Sequence, residues 1–442
     1  MRKTSILLNI ILLIILLNGD QTTLVHPPFK HNMGFNRANS TIARMILGRD
    51  VRFHRTGGLF AVKLKSEDDP TTRKDNAILT LFGINNHKIV YNVNTNQLRT
   101  FGEKGREDST AALYYPTDIV ATESGIVYLT DTYNYRVVKL RYDSAADTLA
   151  YLGSAGGFGI DSSSFDLPAM LDLDSDENIY ITDRGNDRIV VMDSLLRPVK
   201  LLKNISRPGG IAVIDKGKGY CRVKDEKPFI IAISGGVYIL KLSMNGSEIA
   251  RQNASNIPGY SNAGFVYADY DYHGNIWVTD SVNSVVHKFD SDLNYIVTFG
   301  SKGYGDKQFY KPLGITIYRK YGQVFIGEKS GFQYYWVGVD GWIESFTPST
   351  ITDSTKGLTI TLYTTEQCRV KIEIKNQGKT VRELTKYLRR NLGINHIVWD
   401  LKNSEGEPIE DSGVYDIDIE LEPLYSSRGF FVKQIRGSVE KE

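Results

Sequence analysis

The chain is poor in the residues from which covalent frameworks and metal centres are built. Its 442 residues hold 2 cysteines, Cys221 and Cys368. That count excludes a disulfide framework, and the two fall in different expected domains, so both read as free thiols. Histidine is scarce as well, with 7 in all. A zinc site needs several imidazoles, thiolates or carboxylates converging on one point. His273 falls at a hairpin turn and His287 on the third strand of a repeat, away from any central channel, so no metal and no cofactor is expected. An excess of one charge is also missing. The formal net charge of +2 at pH 7 gives no bulk attraction to nucleic acid, and no nucleic-acid partner is expected. No GxSxG elbow, HExxH helix or phosphate-binding glycine loop occurs, so no catalytic residue is assigned.

Long apolar runs are confined to the N-terminus. Arg2 and Lys3 precede an apolar stretch over residues 6–17, followed by Asn18, Gly19 and Asp20. The stretch is short for a span of about 20 residues and reads as a secretory signal over 1–20. A small-x-small cleavage site is not evident, so the alternative of an uncleaved membrane anchor stays open. The rest of the chain, 41% hydrophobic and 24% charged, has the composition of a soluble globular protein of two or three domains. The expected location is exported: periplasmic, cell-surface or secreted.

What the chain has in quantity is short strands set between turns. Over residues 167–193, a proline opens an apolar run (Met170, Leu171, Leu173) and an acidic turn follows (Asp174, Ser175, Asp176). A second strand ends at Thr182-Asp183, and the turn Arg184-Gly185-Asn186-Asp187 leads into a third. β-Branched and aromatic runs between Gly, Asn and Asp turns are the hairpin pattern. The pattern recurs with Thr-Asp pairs at 130/131 and 279/280, a spacing of about 50 residues with one gap of twice that length. A degenerate copy fills the gap over residues 207–242. A degraded first copy places Gly83-Ile84-Asn85-Asn86-His87 where the Thr-Asp turn belongs, and a last copy replaces Thr-Asp with Gly327-Glu328. Four short strands per unit at this period indicate a β-propeller, here with six units over 51–346. Ring closure falls to N-terminal strands or to the stretch Trp342 to Phe346.

A second element joins the copies. Phe101-Gly102-Glu103-Lys104-Gly105 precedes Pro116, and Phe299-Gly300-Ser301-Lys302-Gly303 precedes Phe309 and Pro312. Between them, Leu152-Gly153-Ser154-Ala155-Gly156 is followed by Phe165 and Pro168. Together with the Thr-Asp hairpins and Asn134-Tyr135-Arg136 or Asn186-Asp187-Arg188, these residues resemble the NHL repeat. After a Ser/Thr-rich joint at 347–355, strands about ten residues apart suggest a small β-sandwich over 356–425. There Thr380-Val381-Arg382-Glu383-Leu384, Trp399-Asp400, Gly406 and Ser412-Gly413-Val414-Tyr415 are similar to the immunoglobulin-like domain of flagellar hook-capping proteins (FlgD-like). The fold expected is all-β: a six-bladed NHL-type propeller, then a small Ig-like sandwich. Residues 21–50 read as a linker and 426–442 as a tail. The FlgD-like resemblance implies a bacterial protein, which makes the sequons at Asn39, Asn204, Asn245 and Asn253 chance matches.

Two acidic features read as structural. Asp172, Asp174 and Asp176 alternate as calcium ligands do, yet the glycine and the bidentate glutamate of a calcium loop are absent. Asp131 with Arg136, and Asp183 with Arg188, are spaced to bridge a tight turn by charge-assisted hydrogen bonds. Binding is assigned to the turns at one end of the ring: Tyr115, Tyr133, Arg184, Arg207, Ser281 and Lys329. Aromatic and arginine side chains are the usual anchors of recognition. The function expected is non-catalytic binding of a protein, peptide or glycan partner. The alternative is a channel-mouth enzyme, a lyase or lactonase-type hydrolase.

Overall fold

A computed structural model describes residues 21–28, 37–47, 52–54, 56–67, 79–93, 97–106, 109–225 and 227–442. The stretch read as a signal, 1–20, lies outside them. Two compact units emerge, residues 28–335 and residues 1–27 with 336–442.

The larger unit is built of four-stranded antiparallel sheets in chain order. The first comprises Thr56–Val62, Thr80–Asn85, Lys88–Val93 and Gln97–Phe101, and the second Pro116–Ala121, Ile126–Asp131, Arg136–Asp143 and Thr148–Gly156. The third runs Pro168–Leu173, Ile179–Asp183, Arg188–Met192 and Pro198–Lys203, and the fourth Pro208–Ile214, Phe229–Ser234, Tyr238–Ser243 and Glu248–Asn253. The fifth runs Phe265–Tyr270, Ile276–Asp280, Val285–Phe289 and Tyr295–Phe299. A further sheet holds Pro312–Tyr318, Gln323–Glu328 and Gly331–Val337. The first strand of each sheet packs on the first strand of the next, and the last returns to Thr56–Val62, so the sheets form a closed ring. Ring closure leaves only short outer edges exposed, which is the stabilising logic of a β-propeller.

Sheet-on-sheet packing explains the residue pattern. Second strands such as Ile126–Asp131 and Ile179–Asp183 are buried throughout, because a neighbouring sheet covers each face. Their sequences therefore read as continuous apolar runs. Outer strands have one free face, and Thr148–Gly156 alternates between covered and exposed positions.

The closing strand is Arg37–Asn39, which pairs antiparallel with the strand Gly331–Val337 at Gln333, Phe332 and Gly331. Of the two closures expected, the N-terminal one is found. The helix Ser40–Leu47 follows at once, its first N–H groups capped by Asn39 Oδ1, which accepts from Thr41 (3.0 Å) and Ile42 (3.2 Å). Residues 21–50 thus differ from a plain linker. Three residues carry too little pattern to announce a strand.

In the smaller unit, Gly341–Thr347, Leu358–Thr364 and Gly393–Trp399 form one sheet. Thr350–Ile351, Lys433–Lys441, Gly413–Pro423, Cys368–Asn376 and Lys379–Arg390 form a second. Their inner faces share one core, with Ile360, Ile372, Trp399 and Ile419 buried in it. Leu24 and Val25 pair with Val337 and Trp336 in the same unit. The stretch Trp342 to Phe346 belongs to this sandwich, as does Thr350–Ile351 within the expected 347–355 joint. The expected 426–442 tail supplies the strand Lys433–Lys441 between two others. Its covered positions are few, so the alternation is faint in sequence.

Candidate functional site

One position is used in every sheet of the ring. At the end of each second strand a polar side chain holds the loop that enters the first strand of the same sheet. Asp131 Oδ1 accepts from Tyr114 N–H (2.7 Å), Asp183 Oδ1 from Asp166 N–H (2.7 Å) and Asp280 Oδ1 from Gly264 N–H (3.0 Å). In the three degraded copies, Asn85 Oδ1 accepts from His54 N–H (2.8 Å), Glu328 Oε2 accepts from Tyr310 N–H (2.7 Å), and Ser234 Oγ donates to the Ser206 carbonyl (2.8 Å).

The remaining carboxylate oxygens meet cations or imidazole. Arg136 Nε lies 2.9 Å from Asp131, and Arg188 Nε 2.7 Å from Asp183. Arg188 also donates to the carbonyls of Ile160, Asp161 and Ser164, which fixes the loop ahead of the third sheet. Burial raises both carboxyls above their ordinary range, opposed by these donors. Asp280 has Val285 where the arginine would stand, and His287 Nε2 takes that place at 3.2 Å. Burial pushes Asp280 up, but hydrogen bonds from His287, Asn283 and Gly264 hold it down at about 2. These groups are committed to loop geometry.

The acidic turns behave likewise. Asp174 accepts from the N–H groups of Asp176 and Asn178, both at 2.9 Å, while Asp172 turns to Val213 N–H (2.7 Å) and Lys218 Nζ (3.0 Å). The alternating carboxylates diverge. Among the described residues, no group of three or more His, Cys, Asp or Glu is gathered as a metal site.

The first strands open on a local irregularity. Pairing shifts register just after the start in five sheets, between Thr56 and Leu59, Pro168 and Leu171, Pro208 and Ile211, Phe265 and Ala268, and Pro312 and Gly314. In the second sheet the shift falls opposite Pro116, between Thr130 and Asp131. A bulge bends the strand and re-aims its side chains. The residues just before these strands add a second device. Tyr115, Leu167, Arg207 and Lys311 all take left-handed backbone with φ between 41° and 56°. Left-handed backbone just before a proline is disfavoured sterically, so the surrounding structure must impose it.

Bulged and left-handed residues together line a cavity of about 740 Å³ at the ring's mouth. Its floor is apolar, with Ala169, Met170, Val266 and Leu313. Tyr115 and Tyr133 form one wall, and Arg184, Arg207 and Asp187 contribute to the rim. The aromatic wall is braced from behind. Tyr115 and Tyr133 meet edge to face at 5.6 Å, and His87 packs on Tyr115 at 4.1 Å while its Nδ1 accepts from Tyr115 N–H (3.2 Å). Arg207 N–H is tied to Asp187 Oδ1 at 2.6 Å.

Four of the six residues expected to bind, Tyr115, Tyr133, Arg184 and Arg207, therefore line one cavity. Ser281 and Lys329 stand at the corresponding turns of later sheets but outside its lining. Ser281 N–H is spent on the Gly264 carbonyl, and Lys329 Nζ sits over the Tyr310 ring at 5.7 Å. The sequence reading missed the floor, because apolar residues after a strand-opening proline look like ordinary core. It also missed Asn86 and Thr117, and it gave Asp187 only as part of the turn that carries Arg184. Chemically, the lining offers aromatic faces, guanidinium donors and an apolar base. Thr117 Oγ1 meets Thr132 Oγ1 at 2.7 Å, and neither hydroxyl could take the other's proton as a base.

No protein-family model matches the chain, and no curated protein matches it. Solved β-propeller structures do resemble it. Virginiamycin B lyase from Staphylococcus aureus is 12% identical with a TM-score of 0.41, covering 58% of this chain and 76% of that one. A gluconolactonase from Xanthomonas campestris is 12% identical with a TM-score of 0.45, covering 65% and 87%. PorZ, a surface component of the type-IX secretion system of Porphyromonas gingivalis, is 12% identical with a TM-score of 0.41, covering 81% and 50%. At this level the likeness carries no information on activity.

Proposed function

We propose that the chain is an exported binding protein, a six-bladed NHL-type propeller followed by a FlgD-like Ig sandwich, whose cavity at the ring's mouth holds a protein, peptide or glycan partner. The observation that carries this reading is the cavity itself. Side chains from separate sheets converge there, an aromatic wall stands with two guanidinium groups at the rim, and strained backbone fixes several of them. Preformed concave sites with an apolar base and a few placed polar groups are where ligands bind. Arginine and tyrosine are the residues that anchor them.

The NHL assignment is supported by the shared loop-holding position at the second-strand ends. Support for the Ig assignment comes from the buried Trp399 beside Tyr415 (5.6 Å), and from Tyr415 Oη donating to the Asp411 carbonyl at 2.8 Å, as a tyrosine corner does. Among the described residues, no helix is long and apolar enough to cross a membrane. Export rests on the N-terminal sequence alone, and N-terminal sequencing of the protein from its native host tests it.

The test of function is an array of peptides and glycans probed with the wild type, Tyr133→Ala and Arg184→Ala. Both side chains are exposed, so both variants should fold. Ligands retained by the wild type and lost by both variants support the reading, and ligands bound equally by all three refute it.

A further inference from the structure

Two guanidinium groups at the cavity are unpaired. On the same ring Arg136 is held by Asp131 and Arg188 by Asp183, while Arg197 pairs with Asp193 and Arg251 with Glu248, both at 2.6 Å. Arg184 and Arg207 are exposed, and neither guanidinium has a hydrogen-bond or ion-pair partner among the described residues. Their backbones, by contrast, are fixed. Arg184 N–H donates to the Leu167 carbonyl (3.3 Å) and Gly185 N–H to the Asp166 carbonyl (2.7 Å). A Cβ at Gly185 would come 2.3 Å from Asp166 Oδ2, so the chain can approach this closely only with glycine there. Arg207 takes left-handed backbone at φ 41°, with its N–H held by Asp187 and its carbonyl accepting from Gly235 N–H (3.3 Å). Fixed backbones with free guanidinium heads are preorganised for an incoming anion, because no internal pair has to break first.

The charged residues of the lining are these two arginines and Asp187, two positive charges against one negative. That excess suits a single carboxylate. The hydroxyls deeper in the lining are already used. Thr56 Oγ1 donates to the Glu328 carbonyl, Thr117 and Thr132 share a hydrogen bond (2.7 Å), and the Ala169 carbonyl accepts from Thr130 Oγ1 (2.6 Å). With Met170, Val266 and Leu313 beside them, the floor gives sugar hydroxyls no partners to replace the water they would lose. An apolar side chain is stabilised there by burial. The chemistry that fits is therefore an anion at the rim joined closely to an apolar group on the floor. In a polypeptide the two meet at the carboxy terminus, where the α-carboxylate and the last side chain share one Cα. A chain end also enters a concave site without having to leave it, as an internal acidic residue would.

We propose that the cavity captures the carboxy-terminal end of a peptide or protein whose last side chain is apolar. Arg184 and Arg207 receive the α-carboxylate, the floor takes the last side chain, and the wall of Tyr115 and Tyr133 flanks it. This assignment rests on the cavity being the binding site, as proposed above.

The experiment is an array of acetylated hexapeptides, mixed at the inner positions and carrying each amino acid in turn as the last residue, made as free acids and as carboxamides. The full chain is titrated with the strongest of them by calorimetry. Acids ending in leucine, isoleucine, valine, methionine or phenylalanine should be retained, and the matching carboxamides should bind roughly ten- to a hundredfold more weakly. Arg184→Gln and Arg207→Gln should each shrink that ratio, and the double variant should abolish it. The comparison of acid with carboxamide needs no variant, so it decides even if a substitution disturbs the fold. Acids and carboxamides bound equally, but lost in Tyr133→Ala, overturn the assignment and leave the cavity as the binding site. So does a glycan held through Arg184 when no peptide acid is retained, and so does equal retention of acids ending in lysine and in leucine. Acids whose binding Tyr133→Ala and both arginine variants leave untouched overturn the cavity reading and this inference together.

Discussion

Removing Arg37 should unlock the ring. The last sheet ends its second strand on Glu328, whose side chain is 1% exposed. In the second and third sheets the matching carboxylate meets an arginine five positions on in the same hairpin. Glu328 instead meets Arg37 of the closing strand, which donates to Oε1 through Nε (3.1 Å) and Nη2 (2.7 Å) and also reaches the Tyr304 carbonyl. Truncating one partner of a buried pair costs about 3–5 kcal/mol, because the other charge is stranded. Arg37 retains 22% exposure, so water can reach part of the site. The Tyr310 N–H bond to Oε2 also survives. The lower end, about 3 kcal/mol, is therefore expected for Arg37→Ala. For a unit of about 300 residues that corresponds to a fall of roughly 4–5 °C in the ring's calorimetric transition. Glu328→Gln keeps the shape and one acceptor and should cost about half as much. The double variant should fall short of the sum of the two, since both act on one contact. Arg197→Ala, which breaks the exposed pair with Asp193, serves as the control and should leave the transition in place. A shift below about 2 °C for Arg37→Ala, or strict additivity, would refute the closing role of Arg37–Asn39.

Two further outcomes follow from the same geometry. Gly331 has no room for a side chain, since a Cβ there would come 2.0 Å from the Ala38 carbonyl. Gly331→Ala should displace the closing strand, and hydrogen exchange should show the amides of Ala38 and Phe332 deprotected while those of Ile181 and Ile231 stay slow. Asp280 is held at about 2, so its share of stability is full above the unfolded value near 4 and is lost as pH falls toward 2. His287→Gln weakens that hold. Acid unfolding followed by circular dichroism should then begin at higher pH than in the wild type, and an unchanged acid midpoint would count against the Asp280–His287 contact.

The repeat was legible wherever chemistry forces a residue type. Thr-Asp at 130/131, 182/183 and 279/280 stands out because a carboxylate must hold the entry loop and a β-branched residue fills the buried strand beside it. The degraded copies could be located by spacing, yet their logic could not be read. Asn85, Ser234 and Glu328 perform the same tethering with different groups, and the arginine for Glu328 comes from the other end of the unit. Turn residues of the site were legible because aromatic and arginine side chains at turns have little core to fill. Floor residues such as Met170 and Val266 were not, since only the bulge distinguishes them from packing residues, and a bulge leaves no mark on composition.

The central claim is that ligands bind at the ring's mouth. Hydrogen exchange of the full chain, with and without the strongest array ligand, addresses it most directly. Protection is expected at the amides around Tyr115, Tyr133, Arg184 and Arg207, with the strands Cys368–Asn376 and Gly413–Pro423 unchanged. Protection confined to the C-terminal sandwich or to outer strands such as Pro198–Lys203, with the mouth exchanging as before, would contradict it.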